Sequence, residues 1–276
     1  MIHETITLRE GREPACVMST YVLNDPMAID DPNREKIKRP AVLICPGGGY
    51  WGCSGREAEP IAIQYNAAGF HAFVIDHYSV HPYRYPDALE EVSKAMQIIR
   101  ENAEKWCVNK DQIAVCGFSA GGHLACSLGV FWNQEPIKTA DQSNRPNAMI
   151  LGYPVISSDP AVAHMGSFDS LCGEDNLELK QKMSLENQVT KDTPPAFLWH
   201  TYTDEVVPVE NSLRFAAALR KENIPFEMHI YQDGPHGLST NLPDVNAYYP
   251  ELNCSRALGG WVALSADWMR DLFHIR

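Results

Sequence analysis

The sequence predicts an α/β fold in which a mostly parallel central sheet is covered by helices on both faces. The first observation is the order of the elements, because strand, loop and helix patterns alternate along the chain. The second is the length, since 276 residues suit one α/β domain. The third is the composition, in which apolar residues make up 45% and charged residues 21%, as in ordinary globular proteins. Residues 1–276 are therefore expected to form a single domain.

Eight segments have the pattern of β-strands. The first two are expected to be edge strands, and several later ones are continuous apolar runs, typical of strands buried on both faces. The last segment alternates Phe226, Met228 and Ile230 with more polar side chains, which predicts one better-buried face. In chain order the expected strands are 4–8, 16–22, 40–45, 71–76, 113–116, 148–151, 196–199 and 226–231.

Helices are expected between these strands. The clearest helix carries apolar residues at steps of three and four from Leu89 to Ala103, after the start signals Pro86 and Asp87. By contrast, most of the segment 155–195 is polar and irregular, and it is long enough for a flap but too short for a full cap domain. The other expected helices are 57–68, 123–130, a patch at 176–183, 209–222 and 257–273.

The charge of the chain argues against nucleic acid as a partner. The formal net charge is −12, whereas phosphate binding needs clustered Lys and Arg. The one basic run, 34–39, also contains Glu35 and precedes a predicted strand, so a solvated loop is the better interpretation. An acidic surface mainly serves solubility.

The N-terminal residues and the cysteines indicate where the protein works. No basic region followed by an apolar one is visible at the start, and no apolar stretch approaches the ~20 residues of a membrane helix. The eight cysteines are scattered and lack a CxxC spacing, which favours reduced thiols over a zinc site. We therefore expect a cytoplasmic protein with no membrane attachment, cofactor or metal, and its oligomeric state, monomer or homo-oligomer, stays open.

The segment Gly117-Phe118-Ser119-Ala120-Gly121 has the pattern G-x-S-x-G between a predicted strand and a predicted helix. In this pattern the serine is the nucleophile on a strained turn that lifts its hydroxyl above the sheet, and the glycines avoid clashes with neighbouring elements. The alternative interpretation is a glycine-rich turn that binds phosphate or only packs tightly. The strand–turn–helix context favours Ser119 as a nucleophile.

A second glycine-rich segment, 46–50, follows the strand at 40–45. Attack on a carbonyl carbon builds negative charge on the oxygen, so backbone N–H groups must already point at that oxygen. Gly48 and Gly49 are the expected donors, with Ala120 as a further donor at the start of the helix. The alternative is a flexible glycine turn without this role.

Asp204 and His236 complete the predicted catalytic residues. Each follows a predicted strand, so both are expected at the edge of the sheet where Ser119 lies, in the chain order Ser, Asp, His. His236 would move the proton of the nucleophile, and Asp204 would orient the histidine. The rival carboxylates, judged to be too close, wrongly directed or at the wrong strand end, are Asp233, Glu205 and Asp192.

Other aromatic and imidazole side chains leave more than one interpretation open. His123 is expected to pack or to form hydrogen bonds near the site. The segment 77–86 is rich in His and Tyr, which suits either a sugar-binding cleft or ordinary loop packing. Trp51, beside the glycines, is a candidate to narrow an acyl pocket.

At these motifs the chain resembles the acetyl xylan esterase-like and esterase/lipase group of the α/β-hydrolase superfamily, over most of its length. This resemblance implies the α/β-hydrolase fold and a serine carboxylesterase. The implied substrate is a small-molecule ester or an acetylated oligosaccharide, with acetyl groups removed from xylan-derived or other sugars. The stretches that carry the resemblance are 45–50, 117–125, 193–201, 204–208 and 234–237.

One residue differs from the motif of a related branch of the superfamily. Pro46 stands where hormone-sensitive-lipase-like esterases usually carry His before three glycines, which points toward the peptidase- and dienelactone-hydrolase-like side. Ser119 argues against dienelactone hydrolase activity, which uses Cys. The alternatives are an aminopeptidase- or amidase-like hydrolase and a non-catalytic receptor. Receptors of this fold typically lose the Ser or the His, and this chain keeps both.

Overall fold

An eight-stranded sheet forms the centre of the protein, which the computed structural model describes over residues 1–25, 35–243, 245–247 and 256–275. Arg34, part of the basic run, lies outside the described residues. The strands are β1 (Thr5–Arg9), β2 (Cys16–Tyr21), β3 (Arg39–Cys45), β4 (His71–His77), β5 (Val108–Phe118), β6 (Ala148–Gly152), β7 (Ala196–Thr201) and β8 (Phe226–Tyr231).

The strand order is β1-β2-β4-β3-β5-β6-β7-β8. β1 pairs with β2 and β2 pairs with β4 in antiparallel fashion, and all later pairs are parallel. The carboxyl ends of β3 to β8 therefore meet at one edge of the sheet. In open α/β sheets, ligands bind at that edge.

Helices cover both faces of the sheet, so the predicted α/β-hydrolase fold class is confirmed. The helices are α1 (Glu59–Ala67), α2 (Asp87–Glu101), α3 (Ala103–Trp106), α4 (Ser119–Phe131), α5 (Met165–Cys172), α6 (Leu177–Lys182), α7 (Glu210–Lys221) and α8 (Trp261–Leu272). Short 3₁₀ turns occupy Gly55–Glu57, Leu185–Asn187 and Arg256–Gly260.

Two apolar cores lie on opposite faces of the sheet. Successive strand residues alternate between them, because side chains along a strand point to opposite faces. In β7, Leu198 belongs to the core that α2, α4 and α7 cover on one face, whereas Phe197 and Trp199 belong to the core that α1 and α8 cover on the other. This double coverage explains why the central strands are continuous apolar runs in the sequence. Among the described residues, no helix combines the length and apolarity needed to cross a bilayer.

Several predicted elements differ from the observed ones. Only β1 is an edge strand at this end, since β2 pairs on both sides. β5 begins at Val108 rather than at 113, because the polar residues at its start hide the strand pattern. α5 lies in a segment that was expected to be irregular, and the helix at 87–101 ends before Ala103.

The burial of β8 also differs from expectation. Ile230 is 41% exposed, and every residue of β8 is at least partly accessible to solvent. The physical reason is position, since β8 is the last strand in the sheet order. Only Phe226 and Met228 of the predicted buried face pack against a core.

This difference between a central and an edge strand can be measured. Leu198→Ala, at a fully buried position of β7, is expected to lower the free energy of unfolding by ~2–5 kcal/mol. Ile230→Ala, in β8, is expected to change it by less than ~0.5 kcal/mol. Urea unfolding of the two variants beside wild type provides the comparison. Equal losses in both would contradict the placement of β8 at the exposed edge.

Candidate active site

The turn between β5 and α4 holds Ser119 in a strained conformation. Its φ is +53°, in the left-handed region that side chains rarely adopt. A Cβ atom on Gly117 would lie 2.1 Å from the carbonyl oxygen of Gly121, and one on Gly121 would lie 2.2 Å from that of Cys45. Glycine is therefore required at both positions, which is the steric origin of the G-x-S-x-G pattern.

Ser119, His236 and Asp204 lie in one line of hydrogen bonds at the carboxyl edge of the sheet. The distance from His236 Nε2 to Ser119 Oγ is 2.8 Å, and that from His236 Nδ1 to Asp204 Oδ2 is 2.7 Å. An ionised carboxylate can only accept, so Nδ1–H donates to Asp204 and Nε2 accepts from the serine hydroxyl. The imidazole is thus in the tautomer that a general base toward serine needs.

The Asp204 carboxylate is held in its ionised form by the loop that carries it. Its Oδ1 accepts from the backbone N–H groups of Val206 and Val207, at 3.0 and 2.9 Å. Burial raises the pKa of Asp204, but the side chains of His200 and His236 and the Val207 N–H together hold that pKa well below its ordinary value. His200 Nε2 donates to the Val207 carbonyl at 2.9 Å and also lies 3.4 Å from Asp204 Oδ2, where the same N–H lowers the pKa of Asp204 as a hydrogen-bond donor.

The glycine segment lies beside the serine. Gly48 and Gly49, with φ of +138° and +65°, line a cavity of about 340 Å³ together with Ser119 and His236. Among the described residues, none accepts a hydrogen bond from the N–H of Gly48 or Gly49. Ala120 is fully buried at the second position of α4, where an N–H has no partner within the helix. Within the described ranges, the N–H groups of all three proposed donors thus have no backbone acceptor in a helix or loop.

Glu57 and Tyr153 are functional candidates that the sequence did not single out. Glu57 is 3% exposed, and its carboxylate accepts from the Gly47 N–H at 2.7 Å and from the Tyr153 hydroxyl at 2.5 Å. The Tyr153 hydroxyl in turn accepts from the Ser239 N–H at 3.0 Å, and its ring lies edge-on to His236, with centroids 5.0 Å apart. Burial and the Glu57 carboxylate raise the pKa of Tyr153 well above its ordinary value, so the hydroxyl keeps its proton. Through these hydrogen bonds, Glu57 and Tyr153 together connect the glycine segment with the loop of His236.

A signal for one of these two residues exists in the sequence. Tyr153 directly follows β6 at the carboxyl edge of the sheet, where functional side chains gather. Glu57 carries no such signal, because it lies at the beginning of a segment that was expected to be a plain helix.

His164 is a second imidazole in the cavity, which sequence reasoning also missed. It lies just before α5 and its Nδ1 is 2.8 Å from the Ser167 hydroxyl. Burial lowers the pKa of His164, and the nearby His236 lowers it further. His123, by contrast, does not line this cavity, but it is buried and hydrogen-bonded as expected: Tyr50 donates to its Nδ1 at 2.8 Å, and its Nε2 donates to the Met183 carbonyl at 2.9 Å.

Across the part of the chain that the structure describes, no three His, Cys, Asp or Glu side chains converge as a metal ion requires.

The chain is similar in sequence to one protein family and to several known proteins. A family model described as BD-FAE matches residues 27–219. The chain is 38% identical to endo-1,4-beta-xylanase B of Butyrivibrio fibrisolvens over 75% of this chain and 34% of that protein. It is 32% identical to the acetylxylan esterase of Xylanibacter ruminicola over 71% of this chain and 40% of that protein. The chain therefore spans less than half the length of these curated relatives.

A solved structure is similar over the whole chain. This is the acetyl ester-xyloside bifunctional hydrolase from Caldicellulosiruptor lactoaceticus, with a TM-score of 0.82 and 34% identity. The match covers 99% of this chain and 97% of that one.

The close contact at Gly121 predicts a steric effect on stability. In Gly121→Ala the new Cβ would meet the backbone of Cys45 and Pro46, which cannot rotate away as a side chain can. We expect a loss of at least ~2 kcal/mol of unfolding free energy. Gly52→Ala is the matched control, because a Cβ there meets no atom of the described residues within 4 Å, and it should stay within ~0.5 kcal/mol of wild type. Equal stability of the two variants, measured by urea unfolding, would rule out the tight turn.

The low pKa of Asp204 predicts how stability depends on pH. Its folded-state pKa lies below the ordinary unfolded value of ~3.9, so as the pH falls the unfolded chain takes up the proton first. The stabilisation that the ionised Asp204 gives to the fold is therefore complete at pH values above the unfolded-state pKa, and it is lost as the pH falls toward the folded-state pKa. We expect the unfolding free energy of wild type minus that of Asp204→Asn to be constant between pH ~5 and ~7 and to shrink below pH ~4. A difference that stays constant down to pH ~3, in urea titrations at each pH, would contradict the assignment.

Proposed function

The chain belongs to the BD-FAE family, and from that premise we propose that it is a serine carboxylesterase that removes short acyl groups, above all acetyl, from sugars or small oligosaccharides. The observation that carries the proposal is the line of hydrogen bonds from Ser119 through His236 to Asp204, at 2.8 and 2.7 Å. An accessible cavity of about 340 Å³ opens onto the serine, so an ester carbonyl can reach it.

The first chemical step is acylation of the serine. Ser119 Oγ attacks the carbonyl carbon while His236 Nε2 takes the hydroxyl proton. The developing oxyanion accepts hydrogen bonds from the N–H groups of Gly48, Gly49 and Ala120, which need no reorganisation because the backbone already fixes them. When the tetrahedral intermediate collapses, His236 returns the proton to the leaving alcohol. The acyl group stays on Ser119.

The second step releases the acid. Water attacks the acyl-enzyme carbonyl, and His236 now takes a proton from the water and returns it to Ser119 Oγ as the ester bond breaks. In both steps the carboxylate of Asp204 stabilises the imidazolium that forms at His236. Asp204 can do so because its own low pKa keeps it ionised. One ester and one water molecule thus give one alcohol and one carboxylic acid.

The acetyl and sugar parts of the proposal have separate support. The named relatives are an acetylxylan esterase, a xylanase and an acetyl ester-xyloside hydrolase, and all three names refer to xylan or xylosides. The geometry of the triad supports ester hydrolysis, and these relatives support the choice of acetylated sugars.

The role of Ser119 predicts the outcome of a single substitution. Wild type should hydrolyse p-nitrophenyl esters from C2 to C12 with C2 fastest, and Ser119→Ala should lose at least ~10³-fold in kcat. Ser127→Ala is the matched control on the same helix. Its hydroxyl is buried without a hydrogen-bond partner among the described residues, so its removal should leave the rate within ~2-fold of wild type.

Two outcomes of this assay would overturn the proposal. One is wild type that is inert on every ester, and the other is a Ser119→Ala variant as active as wild type. A panel of aminoacyl anilides run in parallel distinguishes the peptidase-like alternative, because only that activity would cleave the anilides and spare the esters.

A further inference from the structure

Trp51 lies in the segment that follows the glycines and is 63% exposed. Tryptophan is highly buried on average, and the other five tryptophans of this chain are buried or partly buried. Tryptophan is enriched at binding interfaces, because it combines a large apolar ring with an N–H donor.

The position of Trp51 relates it to the reaction centre. A Cβ atom placed on Gly49 would lie 3.7 Å from Trp51 Cδ1 and 3.9 Å from His164 Cε1. Gly49 and His164 both line the cavity that opens onto Ser119. Trp51 therefore stands at the rim of this cavity, next to a proposed oxyanion donor.

The Trp51 ring is held in place from one side. His81 stacks on it, with ring centroids 4.1 Å apart and an angle of 25° between the planes. The loop of His81 is itself anchored, because the His81 N–H donates to the Tyr50 carbonyl at 2.7 Å. Since one face is covered by His81 and the side chain is still 63% exposed, the opposite face is open to solvent.

The tyrosines of the 77–86 segment all contact other parts of the protein. The Tyr78 hydroxyl donates to the Pro46 carbonyl at 3.0 Å. The guanidinium of Arg12 lies over the Tyr83 ring at 4.0 Å, and the ammonium of Lys182 lies over the Tyr85 ring at 5.3 Å. Of the two interpretations of this segment, packing thus accounts for the tyrosines, and His81 is left to support Trp51.

We propose that Trp51, supported by His81, is the platform on which the sugar ring of the leaving alcohol lies during ester hydrolysis. A pyranose presents a face of C–H groups with partial positive charge, and the face of an indole carries the negative part of its quadrupole. A short acyl group fits inside the cavity, whereas an oligosaccharide must extend out of it past the rim. The platform therefore belongs to the alcohol side and does not narrow the acyl pocket. This inference rests on the proposed function.

The test compares two acetyl esters that differ only in the alcohol. Acetylated xylo-oligosaccharides carry a sugar ring, and glyceryl triacetate carries none. The ratio of kcat/KM for the sugar ester to that for glyceryl triacetate should fall ~10-fold in Trp51→Ala, through KM, and by less in Trp51→Phe, which keeps an aromatic face. Ile63→Ala, at a 49% exposed position of α1, is the control and should keep the wild-type ratio.

A binding measurement separates this inference from the proposed function. Unacetylated xylotriose is titrated by calorimetry into Ser119→Ala and into Ser119→Ala with Trp51→Ala, and the second protein should bind ~10-fold more weakly. If wild type hydrolyses neither ester, the proposed function has failed, and this titration alone decides on the platform. Three results would overturn the platform: no xylotriose binding, equal binding by the two proteins, or an unchanged ratio of the two ester activities in Trp51→Ala.

Discussion

The close approach of three backbone segments around Ser119 is the constraint on which the site depends. The glycine segment, the end of β5 and the start of α4 meet with no room for a Cβ atom at Gly47, Gly117 or Gly121. Their contact holds Ser119 at a positive φ, a strain of about 1–3 kcal/mol that persists only where the surroundings fix it. The buried strands on both sides supply that fixation, so the position of the nucleophile follows from the central sheet.

The buried carboxylate of Glu57 links the glycine segment to the rest of the site. An isolated charge in the interior is costly, and Glu57 is tolerated because two donors, the Gly47 N–H and the Tyr153 hydroxyl, satisfy it. Tyr153 also receives the Ser239 N–H and packs against His236. Moving either the glycine segment or the histidine loop would leave a buried polar group without a partner, so the two sides of the site are fixed together.

The sequence predicted the parts of the structure that local patterns encode. The central strands were predictable because burial on both faces requires continuous apolar runs, and Ser119, Asp204 and His236 were named because each follows a predicted strand. Glu57 and His164 were missed, since their importance comes from residues far away in the chain: Tyr153 is the partner of Glu57, and the cavity beside Ser119 is what His164 lines. The exposure of Ile230 was missed for a related reason: alternation shows which residues share a face, but not whether anything covers that face.

The division between a rigid centre and an exposed rim has a consequence for specificity. The groups proposed to act on the ester are backbone N–H groups and three side chains, Ser119, Asp204 and His236, on the segments that follow strands, and they contact only the carbonyl group and the two oxygens of the ester. Discrimination among alcohols must therefore come from the loops around the cavity, which a rigid scaffold positions but does not determine. Trp51 and His164 lie on such segments, outside the sheet and beside Gly49. Substitutions at these rim positions can change the substrate while the reaction stays the same.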